Sequence, residues 1–173
     1  SFIGPWPDET SADFYRAIKE SDGFYSRSAL KSLNRIIAEK RIFAGDDHAR
    51  RGERFVSFTE SPPAEAVELM KWRPRKMRYS FEPYGIAIRK EAAVAVGIRR
   101  VIYGDSKAYR SLPDFEKPFF QAKGKSDWSR EAEWRRLSDV PFEKIDRGDM
   151  LIIVAKDADK ARLPIPCLLY TSD

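Results

Sequence analysis

The apolar residues of this chain come in short runs, and even the longest, Met150 to Ala155, has only the length of a strand. A helix that crosses a membrane needs about 20 apolar residues in a row, so we expect no membrane partner. Helical and alternating patterns interleave irregularly along the sequence, with several links of hairpin length. We therefore expect an α+β fold, with small mixed or antiparallel sheets flanked by helices.

The length of 173 residues fits one domain, which we place at residues 1–166. One back-translation of the last segment, Cys167 to Asp173, resembles the transposon end used in sequencing-library preparation. We therefore expect an adapter-derived tail on a gene assembled from metagenomic reads. The N-terminal residues lack the basic, apolar and small-residue succession of a secretory signal, which predicts a cytoplasmic protein.

Periodicity and turn residues predict the individual elements. Helices are predicted from Thr10 or Ser11 to Glu20, and over Ser28 to Ile42, Ala64 to Trp72, Lys90 to Val96, Phe115 to Ala122 and Asp157 to Leu163. Strands are predicted over Phe55 to Thr59, Tyr84 to Ile88, Arg100 to Tyr103 and Glu131 to Leu137, with a buried strand over Leu151 to Val154.

The scarcity of histidine and cysteine limits the chemistry available to the chain. His48 is the only histidine and Cys167 the only cysteine. An intrachain disulfide, a cysteine-based zinc site and a multi-histidine metal site are therefore excluded, and no metal is expected. The net charge of +5 attracts nucleic acid or smaller anions, although a solvated basic face accounts for it equally well.

Two groups of side chains are candidates for chemistry. Glu131 and Glu133 are two positions apart on a predicted strand, so both should project from one face. Such a pair can accept hydrogen bonds and stabilise a cation-like transition state, or it can be a solvated strand edge. The hydroxyls of Ser57, Thr59 and Ser61 share a face in the same way, and can bind a ribose or phosphate or simply reflect β propensity.

Taken in order, these segments resemble a known framework. Arg27, the hydroxyl strand at 57–61 and the Glu131–Glu133 pair are similar to the arginine–serine–glutamate framework of ADP-ribosyltransferases. The layout from Phe24 to Val154 also resembles the AbiGi-like abortive-infection proteins of phage defence. The segments that carry this second resemblance are the helix at 30–42, the strands at 56–60, 84–88 and 101–103, the Glu-x-Glu-Trp-Arg motif at 131–135 and the late apolar strand.

The resemblance implies that NAD is held in a cleft between two small sheets. Glu133 matches the glutamate that bonds the nicotinamide ribose, and Glu131 the one that positions the acceptor. Arg27 would hold phosphate, and Ser57 and Thr59 would support the cleft. Tyr84 is a candidate clamp for the nicotinamide ring, beside Phe58 and Trp128. An ADP-ribosyltransferase acting in anti-phage defence or in a toxin–antitoxin system is the function so implied.

Two alternatives remain open at the level of the sequence. One is a non-catalytic, antitoxin-like defence component that binds nucleic acid or a partner protein. A basic stretch interleaved with aromatic residues would bind the nucleic acid through its charges and ring faces. Its members are Lys71, Trp72, Arg73, Arg75, Lys76 and Arg78. The other alternative is a metal-dependent nuclease that uses Asp105, Asp114, Glu131 and Glu133.

Overall fold

The computed structural model describes residues 10, 12–13, 16, 29–45, 53–68, 70, 72–73, 78–79, 82–123 and 132–164. These residues form short helices and small sheets of two or three strands, with both antiparallel and parallel pairs, so the α+β prediction is confirmed at this level. The chain divides into two compact units, one of residues 1–40, 70–87 and 150–173 and the other of residues 41–69 and 88–149. The predicted tail at 167–173 lies outside the described residues.

The strands are numbered in chain order. They are β1 (Arg41–Ile42), β2 (Val56–Thr59), β3 (Trp72–Arg73), β4 (Arg78–Tyr79), β5 (Gly85–Ile88), β6 (Arg99–Arg100), β7 (Ile102–Gly104), β8 (Phe120–Ala122), β9 (Glu133–Arg136), β10 (Val140–Pro141) and β11 (Met150–Ile153). The α-helices span Ala29–Glu39, Pro63–Glu68, Lys90–Ala95 and Ser106–Ser111. Short 3-10 helices span Lys117–Phe119, Phe142–Lys144, Arg147–Asp149 and Asp157–Arg162.

The first unit packs around the amphipathic helix Ala29–Glu39. Its apolar stripe buries Ala29, Leu30 and Leu33, as helical spacing predicts. The Asn34 amide donates to the Arg162 carbonyl at 2.9 Å, which ties this helix to the turn Asp157–Arg162. In the same unit β5 pairs with β11.

The second unit contains a three-stranded antiparallel sheet with β9 in the centre, between β2 and β6. A parallel pair, β7 with β8, and an antiparallel pair, β1 with β10, complete it. Its buried apolar side chains are Ala44, Val56, Ile98, Val101, Phe119, Val140 and Ile145. The strand β2 alternates between a buried Val56 and an exposed Ser57, so the predicted half-buried strand is confirmed.

Two predicted helices extend too far. The helix predicted to reach Ile42 ends at Glu39, because Lys40 adopts a left-handed φ of 51° and the chain then enters β1. The helix predicted to reach Trp72 ends at Glu68, and Trp72 lies in β3. Both are failures at element ends, where tertiary contacts override helix propensity.

The helix predicted over Phe115 to Ala122 is wrong. A 3-10 turn at Lys117–Phe119 leads there into β8. Pro118 has no N–H to donate, so it suits the first turn of a short helix but not a longer one. The neighbouring helix Ser106–Ser111 was not predicted, although Asp105 caps it.

Three strand predictions need smaller corrections. The strand expected over Arg100 to Tyr103 is divided into β6 and β7, which pair with different partners on either side of the buried Val101. The last strand is not buried throughout, since Leu151 is 68% exposed. The strand expected from Glu131 begins at Glu133, and Ala132 before it has a φ of 41°.

Candidate functional site

One face of the β2–β9 pair carries a continuous row of polar side chains. The antiparallel register places Ser57 opposite Arg135 and Thr59 opposite Glu133. Since alternate residues of a strand share a face, these four side chains project to the same side of the sheet. Ser57 and Thr59 are exposed, so this face of β2 is open to solvent.

Glu133 is the centre of this polar face. The Ser57 hydroxyl donates to its Oε1 at 2.8 Å, across 76 positions of sequence. Arg135 donates from Nε to Oε1 at 2.7 Å and from Nη2 to Oε2 at 2.9 Å. A carboxylate offers about four acceptor positions, so these three hydrogen bonds leave room for one more at Oε2. The Glu133 side chain is 14% exposed, and it can therefore be reached from solvent.

Arg135 holds the Glu133 carboxylate in place. It is a buried charged residue, and its Nη2 also donates to Gln121 Oε1 at 3.0 Å. Its guanidinium lies 4.6 Å from the centre of the Phe55 ring, a cation–π distance. A bidentate pair whose cation is also bonded to an amide and packed on a ring fixes the direction of the carboxylate.

The sequence placed Arg135 in the Glu-x-Glu-Trp-Arg motif at 131–135, but it indicated no role for Gln121 or Phe55. The spacing of Arg135 two positions after Glu133 is a signal that would have placed both on one face. Gln121 carried no such signal, because its segment was assigned to a helix and its contact with Arg135 depends on β8.

The opposite face of the sheet holds a second polar cluster, around Glu60. Its carboxylate accepts from Lys90 Nζ at 2.5 Å and from the Trp134 indole at 3.0 Å, and Arg100 Nε lies 3.8 Å away. The hydrogen bond from Lys90, and next that from Trp134, hold the pKa of Glu60 below its ordinary value. Lys90 Nζ also lies 5.4 Å from the centre of the Trp134 ring. These contacts fix the central strand from the side away from Glu133.

The other residues of the predicted NAD site lie either outside the described residues or in the first unit. Arg27 and Glu131 lie outside the described residues. Tyr84 belongs to the first unit, where its hydroxyl donates to Asp159 Oδ2 at 2.9 Å. Burial, followed by the bond to Asp159, raises the pKa of Tyr84. A role of Tyr84 in clamping nicotinamide stays a prediction.

Two short strands of the predicted nucleic-acid-binding stretch form a β-ribbon. Strands β3 and β4 pair antiparallel, with Trp72 opposite Tyr79 and Arg73 opposite Arg78. The remaining basic residues of the stretch lie outside the described residues; they are Lys71, Arg75 and Lys76. The ribbon brings the two ends of the basic stretch together along the backbone.

Asp105 and Asp114, two of the acidic residues that a metal-dependent nuclease would use, are bonded to neighbouring groups. Asp105 caps the helix Ser106–Ser111 by accepting from the backbone N–H groups of Lys107 and Ala108, and these bonds lower its pKa. Asp114 pairs with Lys117 at 2.6 Å. Across the described ranges, no three histidine, cysteine, aspartate or glutamate side chains form a group that could hold a metal ion. Nor does any helix of those ranges have the length and apolar character to cross a membrane.

Comparison of the chain with protein-family models, with curated proteins and with solved structures finds no match.

Proposed function

We propose that this chain is an ADP-ribosyltransferase-like protein that uses NAD at the Ser57–Glu133 face, in the setting of anti-phage defence or a toxin–antitoxin system. One observation carries the proposal. The hydroxyl of Ser57 and the carboxylate of Glu133 are in direct contact at 2.8 Å. The two motifs that resemble the transferase framework thus meet at one place on one sheet.

The free acceptor position of Glu133 suits a ribose hydroxyl. A carboxylate at that hydroxyl favours the positive charge that develops on the ribose as the bond to nicotinamide breaks. Nicotinamide leaves with the bonding electron pair, and water or the acceptor adds to the same ribose carbon and loses a proton. Arg135 serves as a positioning residue, because its bidentate pair holds the carboxylate in one direction.

The test is nicotinamide release from NAD, together with incorporation of labelled NAD into cell extract. Glu133→Gln keeps the size of the side chain and removes its charge, so we expect it to abolish both readouts. Because the change also leaves the buried guanidinium of Arg135 without a carboxylate, we expect a lower melting temperature, and circular dichroism at the assay temperature must show that the variant is folded. Glu91→Gln is the matched control, because Glu91 is an exposed glutamate elsewhere in the same unit. Wild-type protein that neither binds NAD nor releases nicotinamide with any extract would refute the proposal.

Two further substitutions divide the reaction into its parts. Ser57→Ala removes one of the three hydrogen bonds to Glu133, and a loss of about 1 kcal/mol would lower the rate about fivefold. Glu131→Gln is expected to impair transfer to the acceptor more than NAD hydrolysis, since the resemblance assigns it to the acceptor. Equal losses of transfer and hydrolysis in Glu131→Gln would remove that assignment.

A second candidate function, a non-catalytic nucleic-acid-binding component, is favoured by the β3–β4 ribbon. Its register sets Arg73 opposite Arg78. Phosphate contacts release counterions, so binding should weaken as salt is raised. Replacing Arg73, Arg75 and Arg78 with alanine should flatten this salt dependence. If the triple variant binds a nucleic-acid duplex with the wild-type salt dependence, the ribbon is not the site.

A further inference from the structure

A second polar site lies in the second unit, away from the Ser57–Glu133 face. It is a pocket of about 500 Å³ lined by β1, by β10 and by the segment that joins β9 to β10. Its lining contains four cations and two carboxylates, so it carries a net positive charge. The cations are Arg41, Arg54, Arg136 and Lys144, and the carboxylates are Asp139 and Glu143. Neither Ser57 nor Glu133 lines it, and strand alternation sets Arg136 on the opposite face from Arg135.

Two of the guanidinium groups are held by neutral oxygen atoms. Arg54 donates from Nε and Nη2 to the Ala44 carbonyl, at 3.0 and 2.6 Å. Arg136 donates from Nε to the Ser138 hydroxyl at 3.1 Å, while its Nη1 is buried with no hydrogen-bond partner among the described residues. These bonds orient the two guanidinium groups, and Glu143, the second carboxylate of the lining, forms an ion pair with neither of them.

One carboxylate of the pocket is already engaged. Asp139 accepts from the Ala44 backbone N–H at 2.8 Å and lies 3.5 Å from Arg41 Nη1. It therefore offsets Arg41 and fixes the start of β10. Within the described residues, Arg54, Arg136 and Lys144 have no carboxylate within 4.0 Å. Three cations around one pocket repel each other, and an anion between them would relieve that repulsion.

We propose that this pocket binds the phosphate groups of a small phosphorylated molecule. Guanidinium groups match phosphate oxygens in geometry, and Lys144 adds a mobile point charge. The volume lies within the range of small-ligand sites. No aromatic side chain is among the described residues that line it, so it offers no platform for stacking bases. These features favour a compact phosphorylated ligand over a nucleic-acid strand.

The experiment is calorimetric titration of the full chain with inorganic pyrophosphate and with ribose 5-phosphate at low salt. We expect both probes to bind wild-type protein. The double variant Arg136→Gln/Lys144→Gln should bind about a hundredfold more weakly, since each lost charged hydrogen bond is worth about tenfold. The matched control is Arg110→Gln/Lys123→Gln, which removes the same charge from exposed residues that do not line the pocket. This control should stay within about twofold of wild type.

Three outcomes would overturn the proposal. Wild-type protein could bind neither probe, or both double variants could weaken equally, which would indicate net charge alone. Alternatively, a single-stranded oligonucleotide could occupy the pocket without competition from pyrophosphate, which would assign it to nucleic acid. Lys144 is exposed, so the single variant Lys144→Gln still provides the test if Arg136→Gln impairs folding. We expect it to lower affinity about tenfold at an unchanged melting temperature.

Discussion

The buried ion pair between Arg135 and Glu133 gives the sharpest stability prediction. Arg135→Met keeps most of the side-chain volume and removes the guanidinium. Glu133 would then lose two of its three hydrogen bonds while its side chain remains only 14% exposed. An ionised carboxylate left partly buried without its cation is strongly unfavourable.

The expected loss follows from this environment. Breaking one side of a buried pair costs about 3–5 kcal/mol. For a chain of this size each kcal/mol lowers the melting temperature by about 2–4 °C, so a decrease of roughly 6 to 20 °C is expected. Urea denaturation followed by circular dichroism measures the free energy of unfolding directly.

Two further variants distinguish the effect of burying the charges from the effect of the ion pair itself. Glu133→Gln in the Arg135→Met background should recover part of the lost free energy, because the uncompensated charge is gone. Arg89→Met is the control, since Arg89 pairs with Asp149 at 2.6 Å but its side chain is 64% exposed, against 9% for Arg135. We expect less than about 1 kcal/mol for the control. Equal losses for Arg135→Met and Arg89→Met would refute the argument.

Three shorter predictions follow from other parts of the structure. Leu33 and Ile98 are fully buried, one in each unit, so Leu33→Ala and Ile98→Ala should each lower the free energy of unfolding by about 2–5 kcal/mol. If the chain is a single domain, as predicted, both variants shift one common unfolding transition, and two separate transitions would contradict that prediction. Tyr84→Phe removes the hydrogen bond to the buried Asp159 and should cost about 1–3 kcal/mol by urea denaturation, whereas no change would show that the bond contributes nothing. Because the pKa of Glu60 is held below its ordinary value of 4.5, its contribution to stability is present above that value and is lost as the pH falls through the lowered one. Glu60→Gln should therefore lose less stability than wild type as the pH is lowered below 4.5 in urea denaturation, and parallel losses would refute this.

A strand, a helix and a helix end were predictable, because each depends on the spacing of neighbouring residues in the sequence. The alternation of Val56 to Thr59 predicts the half-buried strand, and the apolar spacing of Leu30 and Leu33 predicts the helix that buries them. Gly97 ends the helix Lys90–Ala95 with a φ of 83°, as a C-terminal glycine predicts.

Features that depend on distant contacts were not predictable. The chain leaves its helix at Lys40, and nothing in the local propensity marks that residue for a left-handed conformation. Arg135 is a charged residue that becomes buried because Glu133, Gln121 and Phe55 surround it, and only the register of β9 and the position of β8 bring these groups together.

The candidate site was predictable to the extent that strand alternation defines it. Ser57 and Thr59 share a face of β2, as alternation predicts, and the pairing of β2 with β9 adds Glu133 to that face. Glu131 lies outside the described residues, and β9 begins at Glu133, after Ala132 with its φ of 41°, so its predicted place on that face stays a prediction. The rule that residues two positions apart share a face holds only within the strand, and the ends of a strand are hard to predict from the sequence.

A titration of isotope-labelled protein with NAD, followed by amide NMR, tests the central claim most directly. We expect saturable shifts centred on Ser57, Thr59 and Glu133, and their loss in Glu133→Gln with the rest of the spectrum maintained. The Glu91→Gln control should titrate like wild type. An absence of shifts on β2 and β9 at millimolar NAD, or shifts confined to other elements, would contradict the claim that this face is an NAD site.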